Sequence, residues 1–160
     1  MDADEKDSLI GEASNKNKRF PAYFANFSLP KDAIEQEILG YRACKTNQLD
    51  EDSFTPSYEE NGFKVNEDED PLDPSVYSLS LFEKPKDVRR FAIINSDIRP
   101  PMKIAIGYTE PSCGVSQRTR ERTKKKTSHI DWWLYEGAKP YLYFVLIEDF
   151  KTYLEWYKKK

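Results

Sequence analysis

The chain is poor in thiols and imidazoles: two cysteines, Cys44 and Cys113, and one histidine, His129, in 160 residues. The cysteines lie far apart, with no CxxC pair and no Cys/His spacing that points to zinc, so no metal and no other cofactor is expected. Unpaired cysteines suit a reducing compartment. Apolar runs are short as well. None approaches the roughly 20 residues of a membrane-spanning helix. The start, MDADEKDSLIGEASNKNK, is acidic and polar where a signal peptide has a basic start and an apolar middle. A soluble, cytoplasmic protein without membrane contact is the expectation. Glycine-rich phosphate loops are missing too: GYTEPSCG matches neither GxxxxGK[ST] nor GxGxxG. No fixed-period repeat is present.

What is there is charge and aromatic rings. Charged residues make up 33% of the chain and aromatics 14%, against 38% hydrophobic overall, so large rings must fill much of the core. The net charge of −3 hides a division. Residues 1–75 hold 8 Lys and Arg against 18 Asp and Glu, a balance of −10; residues 76–160 hold 17 against 10, a balance of +7. The halves attract each other in the fold, or the basic half faces an anionic partner, or the opposite charges are simply solvated on different faces.

Residues 1–19 carry too little apolar surface to offset the entropy of ordering and are expected to be a flexible polar arm. Residues 20–160 then form one domain. SLPKDAIEQEIL predicts a helix, with Ser28 as N-cap, Pro30 in the first turn, acids at Asp32 and Glu35, and Gly40 as its end. YRACK reads as a short strand. LDEDSFTPSYEENG offers a helical turn or two around Pro56, and NEDEDPLDP, with five acids and two prolines, reads as a loop.

The second half has the clearer periods. SVYSLSLF alternates, with Val76, Ser78, Ser80 and Phe82 opposite Tyr77, Leu79 and Leu81. EKPKDVRRFAII follows as a helix, closed by Asn95, Pro100 and Pro101. MKIAIGYTE and HIDWWLYE alternate again. YLYFVLIED is almost continuously apolar, which suits a central strand covered on both faces. Phe150, Tyr153, Leu154 and Tyr157 form the stripe of a C-terminal amphipathic helix. The sum is an α+β fold: a mostly antiparallel sheet from residues 76–148, a helix after the 76–82 strand, and the C-terminal helix.

Six cations lie within nine residues at 118–126: Arg118, Arg120, Arg122, Lys124, Lys125 and Lys126, opposed only by Glu121. If extended, this ribbon points its three arginines one way at about 6.8 Å intervals, near the phosphate repeat of a stretched nucleic-acid strand. Thr119, Thr123 and Thr127 add hydroxyls for phosphate oxygens. The aromatic stretch that follows places His129, Asp131, Trp133 and Tyr135 on one strand face, where rings can stack on bases. Trp132 shares the other face with Ile130 and Leu134, a core pattern. His129 beside Asp131 is either a proton carrier held as one tautomer or a strand-end histidine with a capping aspartate. Cys113, next to Gly114, is either a nucleophile served by His129 or a covered, inert thiol.

Arg42 in YRAC, followed by VYSLSLF, resembles the strand arginine and the Tyr-Ser-x-Ser strand of ADP-ribosyltransferase-like folds. The resemblance implies that Arg42 holds a dinucleotide diphosphate and that Ser78 or Ser80 supports the nicotinamide ribose. The ExE or QxE pair of that family has no counterpart, and Glu136 or Glu148 would stand in for its glutamate.

Three functions follow. The preferred one is a non-enzymatic binding domain that presents the 118–126 ribbon, with His129, Trp133 and Tyr135 beside it, to an anionic partner, nucleic acid first. The enzyme alternative is an NAD-using transferase built on Arg42, the 77–80 strand and His129. The last is an accessory or inhibitor protein whose acidic half binds a basic protein partner.

Overall fold

The computed structural model describes residues 18–94 and 102–160. Most of the expected arm, and the closing residues Asn95, Pro100 and Pro101, lie outside this set. The arm's last two residues are tied to the domain: Lys18 pairs with Glu35 at 2.8 Å, and the Arg19 carbonyl accepts from the Glu136 amide at 2.7 Å.

Six strands make one antiparallel sheet: β1 (Leu39–Cys44), β2 (Leu79–Phe82), β3 (Lys103–Tyr108), β4 (Gly114–Arg118), β5 (His129–Leu134) and β6 (Phe144–Ile147). Their spatial order is β4-β5-β2-β1-β3-β6. Among the described residues three α-helices accompany them: α1 (Ser57–Glu60), α2 (Pro85–Ile94) and α3 (Phe150–Lys158). The α+β architecture, the helix after the 76–82 strand and the C-terminal helix are therefore present. None of the described helices is long and apolar enough to cross a membrane.

The sheet also takes in β1, from before residue 76, and places it near the centre. β6 lies at the edge instead, with Val145 63% exposed. Its apolar run marks partial cover, because only one neighbour, β3, pairs with it. The helix expected from Ser28 does not form. Ile34 exchanges main-chain hydrogen bonds with Ser116 at 3.2 and 2.8 Å, and the Gln36 amide donates to the Ser116 carbonyl at 2.8 Å. Satisfying the open edge of β4 outweighs the local helical preference of that segment.

Register assigns the faces. Ser80 opposes Asp131 and Phe82 opposes both His129 and Tyr41, so these side chains share one face. Leu79, Leu81, Ile130 and Trp132 share the other, where they pack with Ile38, Phe54, Ala105 and Phe144. On the first face two apolar clusters are separate. Tyr41, Ala43 and Ile104 pack under Val88 and Ala92 of α2 and meet Phe150 and Tyr153 of α3. Trp133 packs with Phe27, Tyr58, Val76 and Tyr77. Both tryptophans of β5 are 0% exposed, one in each layer. Between the two clusters lies the polar ground where the candidate site is found.

Gly114 shows how tightly β4 lies against β5. A Cβ there would stand 2.1 Å from the Trp133 carbonyl oxygen, which is main chain and cannot swing away. Gly114→Ala is expected to lower unfolding stability by about 2 kcal/mol or more, as overpacking does. Urea titration checks this, and a midpoint equal to wild type would refute the close approach.

Candidate functional site

Asp131 is 0% exposed on the polar ground between the two clusters. A carboxylate there must be fully hydrogen-bonded to stay ionised. Its Oδ1 accepts from Ser78 Oγ at 2.7 Å. Its Oδ2 accepts from Thr119 Oγ1 at 2.8 Å, from Arg122 Nη2 at 2.9 Å and from Ser75 Oγ at 3.1 Å. Burial alone raises this carboxyl, but His129, the Ser78 and Thr119 hydroxyls and the Arg122 guanidinium outweigh it and hold it below its ordinary value. The serines arrive from the turn Pro74–Tyr77 and its C-cap. The threonine and arginine arrive from the turn Thr119–Glu121 that ends β4.

That anion sets the protons around it. An ionised carboxylate only accepts, so Thr119 must donate to Asp131 and can only accept from His129 Nδ1, 2.6 Å away. The proton of the imidazole is thus on Nδ1, which leaves Nε2 to accept from Ser80 Oγ at 2.8 Å. Burial lowers the His129 pKa; Asp131 opposes this, and the Arg122 and Arg42 charges add to it. The imidazole is neutral at pH 7, with its basic nitrogen facing a half-buried hydroxyl. His129 and Asp131 are face neighbours as expected, 3.7 Å apart, but Thr119 mediates between them.

The arginines of the basic run do not form a common stripe. The turn at Thr119–Glu121 breaks the extended period. Arg118 Nε meets Glu83 at 3.1 Å, and Arg120 Nη1 meets the same carboxylate at 2.7 Å. Arg122 turns inward to Asp131, with its guanidinium over the Trp133 ring at 5.6 Å. Thr119 is spent on the buried network rather than turned to solvent. Trp133 is fully buried, its Nε1 donating to the Pro74 carbonyl, so its ring is closed to a base. Tyr135 is not brought to the ribbon; its ring lies tilted against Phe20 and its hydroxyl donates to Glu35 at 2.7 Å.

Lys124, Lys125 and Lys126 stay outside. They are exposed and line a groove of about 790 Å³ with Arg120, Lys84 and Lys86. Six cations face it against two acids, Glu83 and Asp87. Five of the six, all lysines, are in no ion pair among the described residues. Ser128 also lines it, accepting from the Lys84 amide and donating at 2.6 Å to Asp87 in the first turn of α2. Sequence reasoning passed over Lys84 and Lys86. The signal was present in EKPKD, where two lysines flank a proline at the positive end of a predicted helix.

Arg42 and Ser80 of β2 sit on adjacent strands but opposite faces. Arg42 donates to the carbonyls of Ser53 and Ser80, both at 2.9 Å. The structure does not bring its guanidinium together with the hydroxyls of Ser78 and Ser80, which serve Asp131 and His129. Cys113 is buried in the opposite cluster from His129, with its thiol pushed up to about 12 by burial. Among the described residues no group of acids, cysteines and histidine is arranged to hold a metal ion.

No protein-family model, no curated protein and no solved structure matches the chain.

The lowered His129 pKa has a defined sign in stability. The unfolded chain protonates the ring near its ordinary 6.5, the folded chain only at lower pH, so the unfolded state binds more protons in between. This contribution is complete above pH 6.5 and is lost as pH falls below it. Because the chain has one histidine, His129→Gln is expected to flatten the fall in melting temperature between pH 7 and 5. An unchanged fall would assign the titration elsewhere.

Proposed function

We propose that the chain is a polyanion-binding domain whose ligand is a nucleic-acid strand held by its phosphates. The observation that carries this reading is the groove in which Lys84, Lys86, Arg120 and Lys124 to Lys126 outnumber Glu83 and Asp87 three to one. Among the described residues its lysines have no paired carboxylate to displace before meeting a phosphate, and releasing condensed counterions drives such contacts. Thr123 and Thr127 line the same groove and can donate to phosphate oxygens. The positive end of α2 adds to the field there.

The contacts reach backbone and not bases. With Trp133 covered and Tyr135 elsewhere, no aromatic of the proposed set is left to stack, so binding is weakly dependent on sequence. Arg118 and Arg122 act indirectly, by holding Glu83 and Asp131. A cytoplasmic setting is part of this proposal, supported by Cys44 and Cys113, which are both free and buried, as suits a reducing compartment. The reading with a basic protein as partner draws on a different surface.

Titration of single- and double-stranded DNA and RNA across salt concentrations tests the proposal. Replacing Lys124, Lys125 and Lys126 together with alanine is expected to reduce the slope of log K against log salt by about 2 to 3. The melting temperature should change little, since these lysines make no ion pair among the described residues. No binding at low salt, or an unchanged slope in the triple variant, would sink the proposal.

A further inference from the structure

A second cavity, of about 490 Å³, opens between the turn Ala22–Asn26, the segment 51–63 and the end of β5. Its chemistry is the reverse of the lysine groove. Tyr23, Phe63 and Tyr135 line it together with Glu51, Glu59 and Glu136, and no lysine, arginine or histidine does. None of the three glutamates is in an ion pair among the described residues. Glu59 accepts from the Tyr23 hydroxyl at 2.7 Å. Burial, followed by that hydrogen bond, raises the Tyr23 pKa, so the phenol stays a neutral donor.

From this geometry we infer that the cavity binds a small organic cation, an alkylammonium group seated against the aromatic wall and balanced by the glutamates. Two alternatives of the same charge fit less well. A metal ion needs converging oxygen ligands, and among the described residues no such group exists. A hydrated inorganic cation gains nothing from rings, whereas an alkylammonium presents methyl groups to them and is drawn to their faces. The size falls in the range of small-molecule sites.

Phe63 shapes the open side. It is 60% exposed, yet its ring is fixed edge-on to Tyr58 at 89° and to Tyr23 at 65°. Its backbone is left-handed at φ 62, following Gly62 at φ 70. The Phe63 amide donates to the Tyr58 carbonyl and the Gly62 amide to that of Glu59, which ends α1 and turns the ring toward the cavity. The inference is independent of nucleic-acid binding, because no residue lines both depressions.

Choline and its uncharged isostere 3,3-dimethylbutan-1-ol are the probes, followed by amide shifts of Gly62, Gly137 and Ala138 in the full chain. Choline is expected to give saturable shifts at these positions. The isostere should bind about tenfold more weakly or worse, the equivalent of one charge contact of about 1.4 kcal/mol. Glu51→Gln with Glu136→Gln should weaken choline by a similar factor while other amides keep their positions, and Phe63→Ala should weaken it severalfold. Absence of saturable shifts, shifts centred elsewhere, or equal affinity for choline and the isostere overturns the inference.

Discussion

The Asp131 carboxylate, wholly removed from water, is the constraint around which the basic half of the molecule is arranged. An anion in that position without partners would cost several kcal/mol, a large share of a domain's margin of stability. Each donor it recruits therefore has a structural consequence. Ser75 and Ser78 hold the turn before β2, Thr119 holds the turn after β4, and Arg122 is drawn in over Trp133. The His129 tautomer is a further consequence, and the free Nε2 that meets Ser80 follows from it.

Burying one carboxylate also decides where positive charge remains available. Of the six cations between 118 and 126, Arg122 satisfies Asp131, while Arg118 and Arg120 converge on Glu83. The three lysines left over are in no ion pair among the described residues and share a groove with two more from the start of α2. Charge was thus sorted by side-chain type. Planar guanidinium groups, which bond carboxylates in fixed geometry and shed water more readily, went to the internal pairs. Compact ammonium groups stayed hydrated at the surface. The acidic half neutralises little of this groove, since Glu83 and Asp87 both come from residues after 75. Two of its glutamates, Glu51 and Glu59, line the aromatic cavity instead, with Glu136 added from the β5 end.

Much of the fold was legible because period and position agreed. The alternation of Leu79 to Phe82 and of His129 to Leu134 marks strands with distinct faces, and both are observed. The spacing of Val88, Phe91 and Ala92, and of Phe150 and Tyr153, marks helices that cover one face. The segment from Ser28 misled because its capping residues are local signals, while the vacancy at the β4 edge that Ile34 fills is formed by residues 82 positions further on. The apolar run Phe144–Ile147 misled because periodicity reports how apolar a strand is and not how many neighbours it has.

By itself the sequence determined the composition of the site: a single histidine beside an aspartate on one strand face, a dense basic run before them, and aromatic residues enough for separate clusters. Only tertiary structure decided which of those groups face solvent. That choice depends on the competition between a buried charge and every donor within reach, and such donors come from turns far apart in the chain. Residues 75, 78, 119, 122 and 129 meet around Asp131 only once β2, β4 and β5 have paired, so no local pattern could tell an arginine held inside from a lysine left free.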